Sequence, residues 1–127
     1  MKFKTAIGTV FEIPDDWWIF AEMNNFSPGE STAYVYRGSP EIFEVPITEI
    51  EAPTRDPDVA FFQKCRMLPI LFAFGCYVAL PPIVIRPLKN SSGLCRFTVY
   101  NGYHRYYASI AAGFAVLPVI LAPKIVD

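Results

Sequence analysis

The residues best suited to chemistry fall in one run, Val99-Tyr100-Asn101-Gly102-Tyr103-His104-Arg105-Tyr106-Tyr107-Ala108. Its β-forming start gives way to a glycine, and helix-forming residues follow at once. A helix opening there leaves backbone N–H groups unpaired in its first turn, and its dipole favours an anion in front of them. Gly102 lets a phosphate approach the backbone closely. Arg105 can give two parallel hydrogen bonds to phosphate oxygens, and His104 can add another. Asn101 is better placed to cap the helix than to hold a ligand. The same four residues, Gly102 to Arg105, also suit a tight turn with two solvated side chains. Spacing alone favours that simpler account.

The elements that must position this turn can be read from apolar period and punctuation. Phe3–Ile13 is rich in β-formers and suits a strand or a hairpin broken at Gly8. Pro14-Asp15-Asp16 then introduces a short helix, Trp17–Met23, with Asp15 or Asp16 as its cap. Trp17 and Trp18 lie about 100° apart on such a helix. With Phe20 and Phe26 they fill a core more readily than they stack on a base. Thr32–Arg37 and Ile42–Ile47 read as strands, and Thr48–Ile50 as the start of a helical turn. Asp56-Pro57-Asp58 predicts a helix from Pro57 to Leu68, with Pro69 kinking it or opening a second helix that ends near Gly75. Ile83–Ile85, Leu94–Tyr100 and Leu117–Leu121 are strands. The last helix runs from about Tyr103 to Ala112, and Gly113 closes it. The expected fold class is α/β (α+β): a small mixed sheet with packed helices at residues 41–127, preceded by a β-rich extension at residues 1–40.

Composition narrows the function. The chain has 127 residues, 53% hydrophobic, enough for one core, and a net charge of −1. That balance argues against a surface given over to nucleic acid, although local basic clusters remain compatible with it. Cys65, Cys76 and Cys95 are odd in number and lack CxxC spacing, which fits reduced thiols and a cytoplasmic protein. No zinc site is expected from one histidine and three scattered cysteines. The uncharged run Met67–Ile85 nears the roughly 20 residues of a spanning helix. Pro69, Gly75, Pro81 and Pro82 divide it into helix, turn and strand, so no membrane span is expected. No apolar leader follows Met1-Lys2-Phe3-Lys4.

A family resemblance adds to this reading. Gly102-Tyr103-His104-Arg105-Tyr106-Tyr107-Ala108-Ser109, then Ala112-Gly113-Phe114 and Leu117-Pro118-Val119, resembles the ParB family's Gly-Glu-Arg-Arg turn, alanine-rich helix and Pro-containing strand. Gly102–Tyr106 is similar to the sulfiredoxin turn, Gly-Cys-His-Arg followed by an aromatic residue. Upstream, Val45-Pro46-Ile47-Thr48-Glu49-Ile50, Arg55, Gly75 and Leu80-Pro81-Pro82-Ile83-Val84-Ile85 resemble the opening strand, arginine, glycine and "P-P-I-V" segment of the ParB/sulfiredoxin superfamily. The likeness covers about residues 42–122 and does not reach residues 1–40.

The resemblance implies a nucleotide site, with ATP or CTP and Mg²⁺ as ligands. Gly102, Tyr103, His104 and Arg105 would hold the phosphates, joined by Arg55. From the residues themselves, Arg55 equally suits an ion pair with Asp56 or Asp58. The family's phosphorylating branch needs a general base, and Glu49, Glu51 and Asp56 lie in the loop the fold would bring towards the nucleotide; as loop acids they are also read as simply solvated. Tyr103 stands where sulfiredoxins carry their nucleophilic cysteine, so sulfinic acid reduction is not expected. The residues after the last strand leave no room for the helix-turn-helix domain of partition proteins, so centromere binding is not expected either. Two alternatives stand beside nucleotide binding: a ParB-like nuclease or nucleic-acid-binding module, and a non-catalytic module that meets a partner protein or a second copy through residues 1–40.

Overall fold

The computed structural model describes residues 1–29, 32–53, 62–89 and 93–123. Gly8 takes a positive φ of 88° and turns the chain between β1 (Lys2–Lys4) and β2 (Val10–Glu12), an antiparallel hairpin with Phe3 opposite Phe11. The hairpin lays Phe11 against Tyr107, ring centroids 4.9 Å apart, and Ile13 is fully buried beside it. Residues 1–40 therefore share one apolar cluster with the rest of the chain, through Phe11, Ile13, Trp18, Ala21, Met23 and Tyr34.

The first helix, α1 (Asp15–Phe20), departs from the expected Trp17–Met23. It starts at the two acids, which suit the positive end of the dipole, and neither caps it by a side-chain hydrogen bond. Asp15 instead accepts from the Met1 amine. Glu22 turns left-handed, and a 3₁₀ turn, Met23–Asn25, follows. Trp18 is buried and Trp17 is half-buried. Thr32–Arg37, expected as a strand, joins no ladder. It is held by one backbone bond, Leu80 N–H to Val35 O at 2.9 Å, and by the buried Tyr34, packed between Phe74 and Phe114.

A five-stranded mixed sheet follows: β3 (Phe43–Pro46), β4 (Ile50–Glu51), β5 (Ile83–Pro87), β6 (Phe97–Asn101) and β7 (Val116–Leu121). Their order is β3-β7-β5-β6-β4, with β5 parallel to β7 and antiparallel to β6, and β4 parallel to β6. A 3₁₀ turn, Ile47–Glu49, joins β3 to β4 where a helical turn was expected. The second helix, α2, runs as one piece from Lys64 to Cys76 with Pro69 inside it. Phe62 and Gln63 are not helical, so the expected helix from Pro57 to Leu68 is not formed as one element; Asp56 to Asp58 lie outside the described residues. Pro69 removes the bond to the Cys65 carbonyl, and both residues face water, which can serve that carbonyl. The third helix, α3 (Tyr103–Ala112), ends at Gly113 with φ 92°. It buries Tyr106, Tyr107, Ala108, Ser109 and Ala112 against the sheet and hairpin. Met67–Ile85 is helix, turn and strand, and among the described residues no helix is long and apolar enough to cross a membrane.

Candidate anion site at the mouth of the third helix

β6 delivers the chain to Gly102, and α3 opens one residue later. Gly102 has φ 118°, and a Cβ added to it would stand 3.1 Å from the Ile83 side chain and 3.4 Å from Arg105 Nη2. Glycine is thus required by backbone conformation and by the close approach of β5, rather than by room for a phosphate over the backbone. Gly102 also occupies the N-cap, the position expected for Asn101, and no side chain caps the helix. The first helical bond is Tyr106 N–H to Gly102 O at 2.8 Å. Among the described residues no acceptor meets the His104 and Arg105 amides ahead of it.

Arg105 folds back beside the turn. Its Nη1 donates to Pro81 O at 2.8 Å and to Pro82 O at 2.9 Å, and its Nη2 lies against Gly102. The Tyr34 hydroxyl donates to the same Pro81 carbonyl. Burial holds the Tyr34 phenol far above its ordinary pKa, against the lowering effect of the nearby Arg105 charge. No carboxylate pairs with Arg105 among the described residues. Among the described residues its charge is met by the Pro81 and Pro82 carbonyls and the Tyr34 side chain, which orient a guanidinium without neutralising it.

His104 is fixed by the start of α2. The Gln63 backbone N–H donates to His104 Nε2 at 3.0 Å. An accepting Nε2 carries no proton, so the neutral ring holds its proton on Nδ1 as a donor. Burial lowers the His104 pKa from its ordinary value, and the Arg66 guanidinium pushes the same way. Arg66 was not anticipated from the sequence. Its Nε donates to Gln63 Oε1 at 3.1 Å, which ties it to the segment that touches His104. The available signal was Lys64 and Arg66 opening an apolar run with no acid in the five residues before it, Val59 to Gln63. Neither α2 nor α3 has an acidic residue in its first turn. The start of α2 and the Arg66 charge therefore meet His104, on the same α3 turn that carries Arg105. Phe62, Tyr103 and Tyr107 form the apolar floor beneath, with Phe62 centroids 5.8 Å from Tyr103, 5.7 Å from His104 and 5.5 Å from Tyr107.

The candidate acids separate. Glu49 is engaged by Arg96 Nε, and its carbonyl accepts the Arg96 N–H at 2.8 Å. Glu51 is exposed at the end of β4, close enough for its charge to act on Tyr106. Tyr106 donates to Ile50 O at 3.0 Å, and burial is the main cause of its strongly raised pKa. The structure thus gathers Gly102, Tyr103, His104 and Arg105 on one turn, keeps Glu51 near that turn's helix, and commits Glu49 to Arg96. Arg55 and Asp56 lie outside the described residues.

No family model matches the sequence. Solved structures do resemble the fold. The C-terminally truncated chromosome-partitioning protein ParB from Caulobacter crescentus, complexed with CTP-gamma-S, superposes with a TM-score of 0.51 at 21% identity, over 68% of this chain and 46% of that one. Sulfiredoxin from Arabidopsis thaliana gives a TM-score of 0.46 at 20% identity, over 67% of this chain and 88% of the other. The chain has the ParB/sulfiredoxin fold. It spans less than half the length of the ParB chain it matches.

Proposed function

We propose that this chain binds the phosphate tail of a nucleoside triphosphate, CTP or ATP, at the mouth of α3. The observation that carries the proposal is an unneutralised positive site. The His104 and Arg105 amides have no acceptor among the described residues, Arg105 has no carboxylate partner there, and Arg66 stands across from His104. The His104 Nδ1–H, the two amides and the Arg105 guanidinium supply donors of the kind that phosphate oxygens take. The ParB of this fold was solved with a nucleotide analogue. Among the described residues no three metal-ligating side chains cluster. Mg²⁺ would ride on the phosphates, with Glu51, whose charge reaches Tyr106 of α3, as the described carboxylate available to it. Glu51 is also the acid we assign as general base should the phosphate be transferred or hydrolysed.

A thermal-shift screen of CTP, ATP, GTP and UTP with Mg²⁺ tests this. At 100 times Kd, one nucleotide should stabilise the fold by about 2.7 kcal/mol. At about 4 °C per kcal/mol for a domain of this size, that is roughly 10 °C in Tm. No shift with any of the four refutes the proposal.

A further inference from the structure

A second cleft lies between residues 26–29 and 32–35 and the C-terminal half of α2. It has a volume of ≈ 470 Å³ and is lined by Phe26, Pro28, Tyr34, Phe74, Tyr77 and Phe114, among others. That volume is in the range of small-molecule sites, about 300–1,000 Å³, and too small for a docked helix. The floor is aromatic: Phe74 lies 5.0 Å from Phe114 and 5.7 Å from Tyr34 by ring centroid. No described lining residue is charged. Three lining hydroxyls are engaged by carbonyls: Tyr34 with Pro81 O, Thr32 with Gly29 O at 2.9 Å and Ser27 with Pro28 O at 3.4 Å, while Tyr77 stands at the exposed rim. An aromatic floor whose own hydroxyls are turned to carbonyls selects an uncharged aromatic guest.

The backbone supplies an independent observation. Among the described residues two non-glycine residues have positive φ, Glu22 at 59° and Tyr77 at 57°. Tyr77 lines the cleft, and it also lines an adjoining cavity of ≈ 310 Å³ that Glu22 borders. Tyr77 ends α2 at the left-handed position where helices ordinarily place glycine, with its N–H on Phe74 O and the Val78 N–H on Ala73 O. A bulky residue there is strained, and its ring, 71% exposed, gains little from burial in return. Strain of this kind is held where the side chain serves a purpose. Here it sets an aromatic ring on the rim of an aromatic cleft.

We infer that the cleft lined by Phe26, Tyr34, Phe74 and Phe114 binds a small uncharged aromatic molecule, with the strained Tyr77 as its rim. The inference is independent of the α3 mouth. Titration with N-phenyl-1-naphthylamine, whose fluorescence rises in apolar surroundings, tests it on the full chain. The expected result is saturable binding of one probe per chain. Tyr77→Phe should stay within about twofold of that affinity, because the ring is kept. Tyr77→Gly should weaken it tenfold or more while raising Tm, because glycine relieves the strain. Ala33→Phe, which fills the cleft from its other wall, should also weaken it tenfold or more, with circular dichroism recording that the variant remains folded. Absence of saturable binding, or unchanged affinity in either folded variant, overturns the inference.

Discussion

Arg105 has two separable tasks, and replacing it by alanine measures both. The first is structural. Its Nη1 holds the Pro81 and Pro82 carbonyls at 2.8 and 2.9 Å and so pins the start of β5 to the turn. A hydrogen bond to a charged group contributes about 1.5–3 kcal/mol where it is well shielded. These two are partly open to water, so we take about 2 kcal/mol for the pair, or roughly 8 °C in Tm. The second task is electrostatic. Losing a charge-assisted contact to phosphate should cost a further 2–3 kcal/mol of binding, about 30- to 150-fold in Kd. Isothermal titration of CTP and ATP with Mg²⁺, beside a thermal melt of each variant, reads the two quantities apart. Arg105→Lys should keep part of the affinity but recover little of the Tm, because one ammonium cannot reproduce the planar fork. If Arg105→Ala lowers Tm and leaves nucleotide affinity intact, Arg105 is only a clamp and the phosphate assignment falls.

Three further results are expected. Gly102→Ala should lose about 1–3 kcal/mol in chemical denaturation, since alanine meets both a φ of 118° and Ile83 at 3.1 Å; a neutral outcome would mean the turn relaxes freely. Because His104 has a lowered pKa in the fold, the unfolded chain takes up its proton first as pH falls through about 6.5. Stability should hold above that value and decline as pH drops from it through the folded value, and His104→Gln should flatten this slope in urea midpoints from pH 8 to pH 5; an unchanged slope assigns it to other groups. Glu49→Gln should cost less than about 1 kcal/mol and leave nucleotide affinity unchanged, because its partner Arg96 is largely exposed; a fall in affinity by titration calorimetry would return Glu49 to the site.

The turn at Gly102 was legible in the sequence because local rules act there without competition. A β-forming run, a glycine and a helix former each demand one conformation, and the flanking sheet agrees with all three. Near α2 the local and tertiary signals diverge. Asp56-Pro57-Asp58 reads as a helix start and lies outside the described residues; Phe62, next described, is not helical but reaches Tyr103 and Tyr107, and α2 starts at Lys64. Pro69 reads as a break, yet its lost hydrogen bond falls on the wet side of α2 and costs too little to end it. Thr32–Arg37 has strand-forming residues, but one anchored ring, Tyr34, fixes it against the core without a ladder. Arg66 escaped notice because an arginine on an exposed helical face is ordinary in sequence. The bond from Gln63 N–H to His104, with Phe62 packed on Tyr103 and Tyr107, brings that end of α2 to α3.

That bond also explains why the two helix mouths should be considered as one site. A cation in the first turn of a helix opposes the dipole, by about 0.3–1 kcal/mol for each charge when it is exposed. α2 accepts Lys64 and Arg66 in this position and α3 accepts Arg105, with no acid in either first turn to offset them. Gln63 then draws the two ends together through a ring whose own charge is suppressed. Each step raises the positive potential at one point of the surface in a chain whose net charge is −1. Stability alone would favour acids at both mouths. An anion with several oxygens, bound as proposed, would offset these unfavourable terms together: it would meet the amides, a guanidinium and the imidazole N–H, and would raise rather than lower the affinity of His104 for a proton. The same electrostatics makes the attraction sensitive to screening, so nucleotide affinity should fall steadily between low and physiological salt.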